Sequence, residues 1–331
     1  MVASRLNTEF AARVFVLGIA LGLPLAALIA RLADKTIELR ARVAEAGGWT
    51  PTDLTVAVGQ PLILRLISDD VLHGFALGQS DGPAIDVPPG QAVETTLTFD
   101  RPGKYVFYCT RWCGLGHWRM RGTIEVAGTT ADSTTGQPPL YVTLGLNIDA
   151  LHEAAVTPKG APSATRGAQL GVALPANYLT QDYYRAHSPA EVWQALRAGS
   201  FSTELTDDEV WDLVAFVWRS NTTPETLAEA KTLYAQNCAA CHGETGAGDG
   251  IAAAALRDKA HEAQTEFGHL TQAPADFTNA DHMLGASPAL LQGKIIRGGM
   301  GTGMPYWGPI FTEVQTWALV DYLWTFQFEY K

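Results

Sequence analysis

The chain has 331 residues, 47% of them hydrophobic and 17% charged, which is enough for two or three domains with cores of their own. Its formal net charge of −11 argues against a nucleic-acid partner and for a cationic one. Residues 1–127 hold 12 acidic and 12 basic side chains; of the 34 and 23 in the whole chain, residues 128–331 therefore hold 22 and 11, the entire excess.

Residues 14–30 form an uncharged apolar run. At a rise of ~1.5 Å per residue it nearly spans a ~30 Å hydrocarbon core, and Ala11-Ala12 with Leu32-Ala33 close the gap. A single retained transmembrane anchor is predicted within residues 1–35. A cleaved export signal shares the basic start and apolar middle, but Arg31 and Leu28 spoil the nearby small-residue cleavage positions.

From Thr36 the pattern changes to short alternating runs. They are Leu54–Val58, Leu62–Ile67, Val71–Leu77, Val93–Phe99, Tyr105–Cys109 and Gly122–Val126, punctuated by Gly-Gln-Pro, Pro-Pro-Gly and Arg-Pro-Gly. Many short strands without a long helical pattern predict an all-β sandwich over residues 36–127. Phe75, Phe99, Tyr105, Phe107 and Tyr108 read as its core. Residues 128–139 lack large apolar groups and read as a linker.

One stretch of the sandwich carries chemistry. Cys109 and Cys113 lie four residues apart, His117 follows after four more and Met120 after a further three. Soft thiolates and a thioether beside an imidazole select copper or zinc, and structural zinc sites rarely recruit methionine. A blue-copper site needs one cysteine. Two cysteines bridging two metals, each metal with a terminal histidine, make a binuclear copper centre, and His73 in Val71-Leu72-His73-Gly74-Phe75 offers the second imidazole.

At these residues the chain resembles the CuA domain of subunit II of the haem-copper oxidases, a Greek-key cupredoxin sandwich. The resemblance covers roughly residues 36–127. It implies that Cys109, Cys113, His73, His117, Met120 and the backbone carbonyl of Arg111 hold two coppers. Many family members have an acidic or amide side chain at the position of Arg111. A carbonyl ligand survives that change, whereas a magnesium-linking role of the acidic version does not.

Beyond the linker the periodicity is helical. Asn237-Cys238-Ala239-Ala240-Cys241-His242 is a c-type haem attachment motif, in which Cys238 and Cys241 anchor the porphyrin and His242 reaches the iron. All four cysteines are thereby assigned to cofactors. Of the five methionines, Met1 is the start and Met120 belongs to copper, leaving Met283, Met300 and Met304. Met304, in Gly303-Met304-Pro305 before the last helix, lies where class I cytochromes c present their axial methionine and is the expected sixth ligand; Met300, His261, His269 and His282 are its rivals. An internal echo also appears. Ser188-Pro189-Ala190 returns as Ser287-Pro288-Ala289, each followed by an amphipathic helix. Residues 140–222 therefore read as a haem-less cytochrome c-like region ahead of an all-α cytochrome c domain at 223–331. Two unrelated helical hairpins with a common pattern are the alternative.

The assembly of one anchor, a CuA sandwich and a cytochrome c resembles subunit II of oxidases with a fused cytochrome c. It implies no catalytic site of its own. Electrons would pass from a soluble cationic donor to haem c, to CuA, and then to a multi-span haem-copper catalytic subunit I in the membrane, most simply for oxygen reduction. A small subunit of a CuA-type nitric oxide reductase and a freestanding membrane-tethered shuttle are the alternatives. The soluble part is expected on the extracytoplasmic, periplasmic side. Arg111, Arg119 and Arg121 on the copper loop oppose an acidic helical half, which predicts docking of the two by charge; pairing of these arginines within the sandwich or with the catalytic subunit is the alternative.

Overall fold

The computed structural model describes residues 36–80, 82–128, 137–256, 273–299 and 303–330. The apolar run at 14–30 lies outside them. Among the described residues no helix is long and apolar enough to cross a membrane.

Residues 37–127 form nine strands in two sheets, a β-sandwich, and a helical half follows. Strands β1 (Ile37–Ala41), β2 (Trp49–Thr50), β4 (Leu62–Ser68) and β7 (Ala92–Leu97) make one sheet in the order β2-β1-β4-β7. The other runs β3-β9-β8-β5-β6 and contains β3 (Asp53–Ala57), β5 (His73–Leu77), β6 (Ile85–Val87), β8 (Gly103–Tyr108) and β9 (Arg121–Ala127). The period of two decides the faces. Leu64 and Leu66 of β4 meet Phe75, Phe107 and Ile124 of the second sheet between the layers. Trp49 closes one end, its ring edge-on to Phe75 and Phe107 at 5.9 Å each.

The helical half begins with α1 (Leu140–Thr143), α2 (Ala164–Gln169), α3 (Gln181–Ala186), α4 (Pro189–Arg197) and α5 (Asp207–Ser220). It continues through α6 (Pro224–Asn237), α7 (Ala239–His242), α8 (Ala280–Met283), α9 (Pro288–Arg297) and α10 (Glu313–Leu323). The sequence echo has a matching local chemistry. Ser188 and Ser287 cap α4 and α9 with proline at the first turn, and Thr206 and Thr312 form capping boxes with Glu209 and Gln315 ahead of α5 and α10. Both helix pairs share one hydrophobic cluster, in which Trp218 of α5 meets Trp324 and Phe328 beyond α10.

The outer face of the second sheet packs on the helical half. Ala76, Tyr108 and Arg121 lie in one register row across β5, β8 and β9. Ala76 and Tyr108 join the helical cluster. Beside this row the Gln79 backbone N–H donates to the Ile310 carbonyl at 2.8 Å, and its Nε2 donates to the Gly308 carbonyl at 2.5 Å. A Cβ on Gly78 would stand 2.3 Å from the Pro309 carbonyl oxygen, so the two backbones touch only because a glycine is there.

Two tests bear on the helical core. A Cβ on Gly167 of α2 would meet the Asp212 carbonyl oxygen of α5 at 2.1 Å, a backbone atom that cannot swing away. Gly167→Ala should therefore cost about 1–3 kcal/mol of stability, read as a lower denaturation midpoint of the helical half. Asp321 is buried and accepts the Tyr184 hydroxyl at 2.6 Å. Burial raises its pKa to about 6, against the opposing pull of the Tyr184 bond. A carboxyl with a raised folded pKa binds its proton more tightly in the folded state. It thus favours folding at low pH, and that contribution fades as pH rises from the ordinary carboxylate range to about 6. Asp321→Asn should flatten this slope in unfolding experiments across that window.

Candidate metal centres

Three neighbouring strand ends deliver the copper-type donors. His73 opens β5, Cys109 follows β8 and Met120 precedes β9. The loop between Cys109 and Met120 is closed at its neck, where the Cys109 N–H donates to the Met120 carbonyl at 3.0 Å. A second tie runs from the Thr110 N–H to the Gly74 carbonyl at 3.3 Å. A Cβ on Gly74 would lie 2.1 Å from Thr110 Oγ1, so this approach requires glycine. Gly116, at φ 78°, turns the loop into a short 3-10 helix, His117–Arg119, which swings His117 back toward the thiols.

The resulting cluster is compact and buried. His73 Nδ1 lies 3.8 Å from Cys109 Sγ, His117 Nδ1 3.4 Å from Cys113 Sγ, and Met120 Sδ 3.2 Å from Cys113 Sγ. The Arg111 carbonyl oxygen lies 3.3 Å from Cys109 Sγ. Ligand atoms of His73, Cys109 and Cys113 fall within 4.8 Å of one another. The six groups singled out from the sequence are therefore together at one end of the sandwich. A dry set of two thiols, two imidazoles and a thioether fits copper.

Asp70 completes the arrangement and was not singled out from the sequence. Its Oδ1 lies 2.7 Å from His73 Nε2, while the Val43 and Val71 N–H groups each donate to its carboxylate at 2.7 Å. With Nε2–H donated to Asp70, Nδ1 is left free to bind metal. The local signal is an acid three residues before a ligating histidine. Burial alone would lower the His73 pKa, yet the Cys109 thiolate and Asp70 together raise it. Cys109 is held far below the usual thiol range because Cys113 donates to it, with His117 and His73 adding to the effect against burial. That negative charge, with burial, keeps the proton on Cys113. Copper binding would expel it.

The haem motif lies at the junction of α6 and α7. Tyr234 fixes the turn by donating its hydroxyl to the Gly243 carbonyl at 2.8 Å. His242 Nδ1 lies 3.0 Å from the Ala275 carbonyl, which as acceptor leaves Nε2 for iron. Burial lowers the His242 pKa and favours the neutral, ligating form. Cys238, Cys241, His242 and Met304 line one open cleft of ≈ 970 Å³, and an apolar recess of ≈ 350 Å³ shares Cys238, His242, Met304 and Trp307 with it. The slot fits haem c, with two thiols and an imidazole on one wall and a thioether among its other lining groups. Met283 is buried in the helical core and does not line the cleft, His282 is exposed on α8, and Met300, His261 and His269 lie outside the described residues.

Lys294 and Arg297 stand at the mouth of the cleft, and Arg297 makes a two-pronged pair with Asp149 at 2.6 and 2.5 Å. Asp149 comes from the region ahead of the cytochrome motif. No local pattern marks it, because the contact spans 148 residues of chain.

The family described as cytochrome c oxidase subunit II, periplasmic domain, matches residues 50–127, and cytochrome c matches residues 227–327. Two curated relatives from Thermus thermophilus, each a cytochrome c oxidase subunit 2, are 38% identical over 84 residues, or 25% of this chain. The matched stretch spans 62% of one relative and 49% of the other. Among solved structures, the periplasmic domain of subunit II of the Bradyrhizobium japonicum cytochrome oxidase is 23% identical at a TM-score of 0.25, covering 28% of this chain and 84% of that one. An auracyanin from Roseiflexus castenholzii is 21% identical at 0.23, covering 29% and 98%.

Asp70→Asn keeps the shape but weakens the grip on His73. Copper affinity measured by competition with a chelator should fall about 10–100-fold, while the haem spectrum stays unchanged.

Proposed function

We propose that this chain, which matches the cytochrome c oxidase subunit II periplasmic domain over residues 50–127 and cytochrome c over residues 227–327, is the electron-receiving subunit of a membrane haem-copper oxidase. Electrons enter at haem c from a soluble cationic donor drawn to the acidic helical half, and pass to a binuclear CuA centre. From there they go to a multi-span catalytic subunit that reduces oxygen to water. The observation that supports this most is the joining of a soft-donor cluster and a haem cleft through one packed interface.

In this reading His73, Cys109, Cys113, His117, Met120 and the Arg111 carbonyl hold the coppers, and Cys238, Cys241, His242 and Met304 hold the haem. A copper pair held there would supply one-electron redox chemistry with the charge spread over two metals. A haem held by His242 and Met304 would supply the same, at a potential raised by the thioether ligand. The protein's part is to keep the donors still. Asp70 fixes the His73 ring, the Ala275 carbonyl fixes His242, and the packed sandwich keeps water from the thiolates, so little has to move when charge changes. Residues 140–222, a haem-less cytochrome-like region between the linker 128–139 and the cytochrome domain 223–331, wall the haem cleft through Asp149. The run at 14–30 would hold the sandwich, residues 36–127, at the outer membrane face.

Copper-loaded chain should give the mixed-valence two-copper hyperfine pattern in EPR, and Cys113→Ser should abolish it. Met304→Ala should remove the methionine-to-iron band of the oxidised haem without releasing the haem. Gently solubilised membranes should yield the chain with a multi-span haem protein that consumes oxygen. A preparation in which the chain is alone and the partner fraction shows no oxygen uptake would refute the reading.

A further inference from the structure

The copper loop and the haem cleft are joined by two adjacent residues on one side and a ring on the other. Met120 is the last residue of the loop, and its thioether lies among the copper donors. Arg121 is the next residue and points to the opposite face of the sheet, as the strand period requires. Its Nη1 donates to the Tyr306 carbonyl at 2.7 Å, and its guanidinium lies over the Trp307 ring at 5.0 Å. Trp307 in turn lines both parts of the haem slot and is three residues from Met304. No carboxylate pairs with Arg121 among the described residues, and its Nη2 is buried without a hydrogen-bond partner there. This differs from docking by opposite charges. Arg111 is paired with Asp86 inside the sandwich at 2.7 Å, and Arg119 is exposed. Of the three loop arginines, Arg121 is the one that reaches the helical half among the described residues, and it does so through a carbonyl and a ring.

Resting on the electron-transfer reading above, we propose that Trp307 and Arg121 are the bridge through which haem c and the copper centre exchange electrons. The route runs from the haem slot through the Trp307 indole to the Arg121 guanidinium, then along one peptide unit to Met120. The electron lost as ferrous haem becomes ferric is the one gained by the oxidised copper pair. No proton moves and no bond forms or breaks. A large polarisable ring against a delocalised cation one residue from Met120 offers a route with fewer intervening residues than the path through the Gly308 backbone and Gln79, which lies six residues along the chain from His73.

The experiment uses the full chain with both centres loaded. The haem is reduced by a photoexcited ruthenium complex, and haem oxidation and copper reduction are followed optically. Trp307→Leu and Arg121→Gln should each slow the transfer about tenfold or more, equivalent to about 1.4 kcal/mol of barrier. The midpoint potentials and the EPR pattern should be unchanged. Trp307→Phe should recover most of the rate. Gln79→Ala, which loosens the same interface away from the ring, should leave the rate as it was, and so should added salt, because the contact is buried. Unchanged rates in both Trp307→Leu and Arg121→Gln would overturn the bridge, as would an equal loss in Gln79→Ala, which would show that docking alone matters. Should Trp307→Leu disturb the haem spectrum, Arg121→Gln decides, since Arg121 does not line the cleft. Absence of any transfer in the unsubstituted chain would instead overturn the parent reading.

Discussion

The pairing of β8 with β9 places both the metal donors and the surface that meets the helical half. Their antiparallel register ends at Tyr108 opposite Arg121, so the chain between them must leave and re-enter the sheet at adjacent points, with Cys109 and Met120 facing each other across the neck. Ten residues lie between those two, enough to turn once and lay Cys113 and His117 over the opening. A slip of one residue in this register would exchange the faces of the whole strand. Met120 would then leave the cluster and Arg121 would enter the sandwich core. The cluster and the contact between the halves therefore depend on one register, read on two faces of the same sheet.

That double use explains how a guanidinium comes to be held away from carboxylates. Tyr108 and Ala76 share its row and are covered by the helical half, so Arg121 is covered with them. Burial lowers its pKa to about 10, which leaves the charge in place at neutral pH. A desolvated cation over an indole recovers about 2 kcal/mol, and the Tyr306 carbonyl adds a charge-assisted bond. The residue is costly to bury unless both partners are present, so the sandwich and the helical half hold one relative orientation at this point.

The donor types and their grouping were readable in the sequence because they are local: CxxxCxxxHxxM and CxxCH are set by loop length and by a single helix turn. The β-to-α change at the linker was readable from periodicity for the same reason. What local pattern does not carry is the set of long-range partners. Asp70 sits near its histidine, but its role comes from the Val43 N–H, which holds its carboxylate from 27 residues away. Asp149 and Trp307 meet their partners across 148 and 186 residues, and nothing in their neighbourhoods marks them. The charge count did point to contact between the halves, but the contact is made through an aromatic ring and a carbonyl because the row that carries Arg121 is buried. Net charge describes the approach of solvated surfaces, not the packing of desolvated ones.

A small interface suffices here because both halves belong to one chain. Two separate proteins must offset several kcal/mol of lost translational and rotational freedom before they associate. A short linker removes most of that cost by keeping the second surface at a high effective concentration. Residues 128–139 are the covalent connection, so the Arg121 row and the Gln79 bonds have only to select an orientation. The helical half can then be strongly acidic toward solvent, where the proposed cationic donor would arrive and leave again, while its contact with the sandwich uses no acidic side chain at Arg121 among the described residues. Attraction that is screened and reversible on one surface, and packing that is salt-insensitive on the other, is the division of labour a relay between a mobile donor and a fixed acceptor requires.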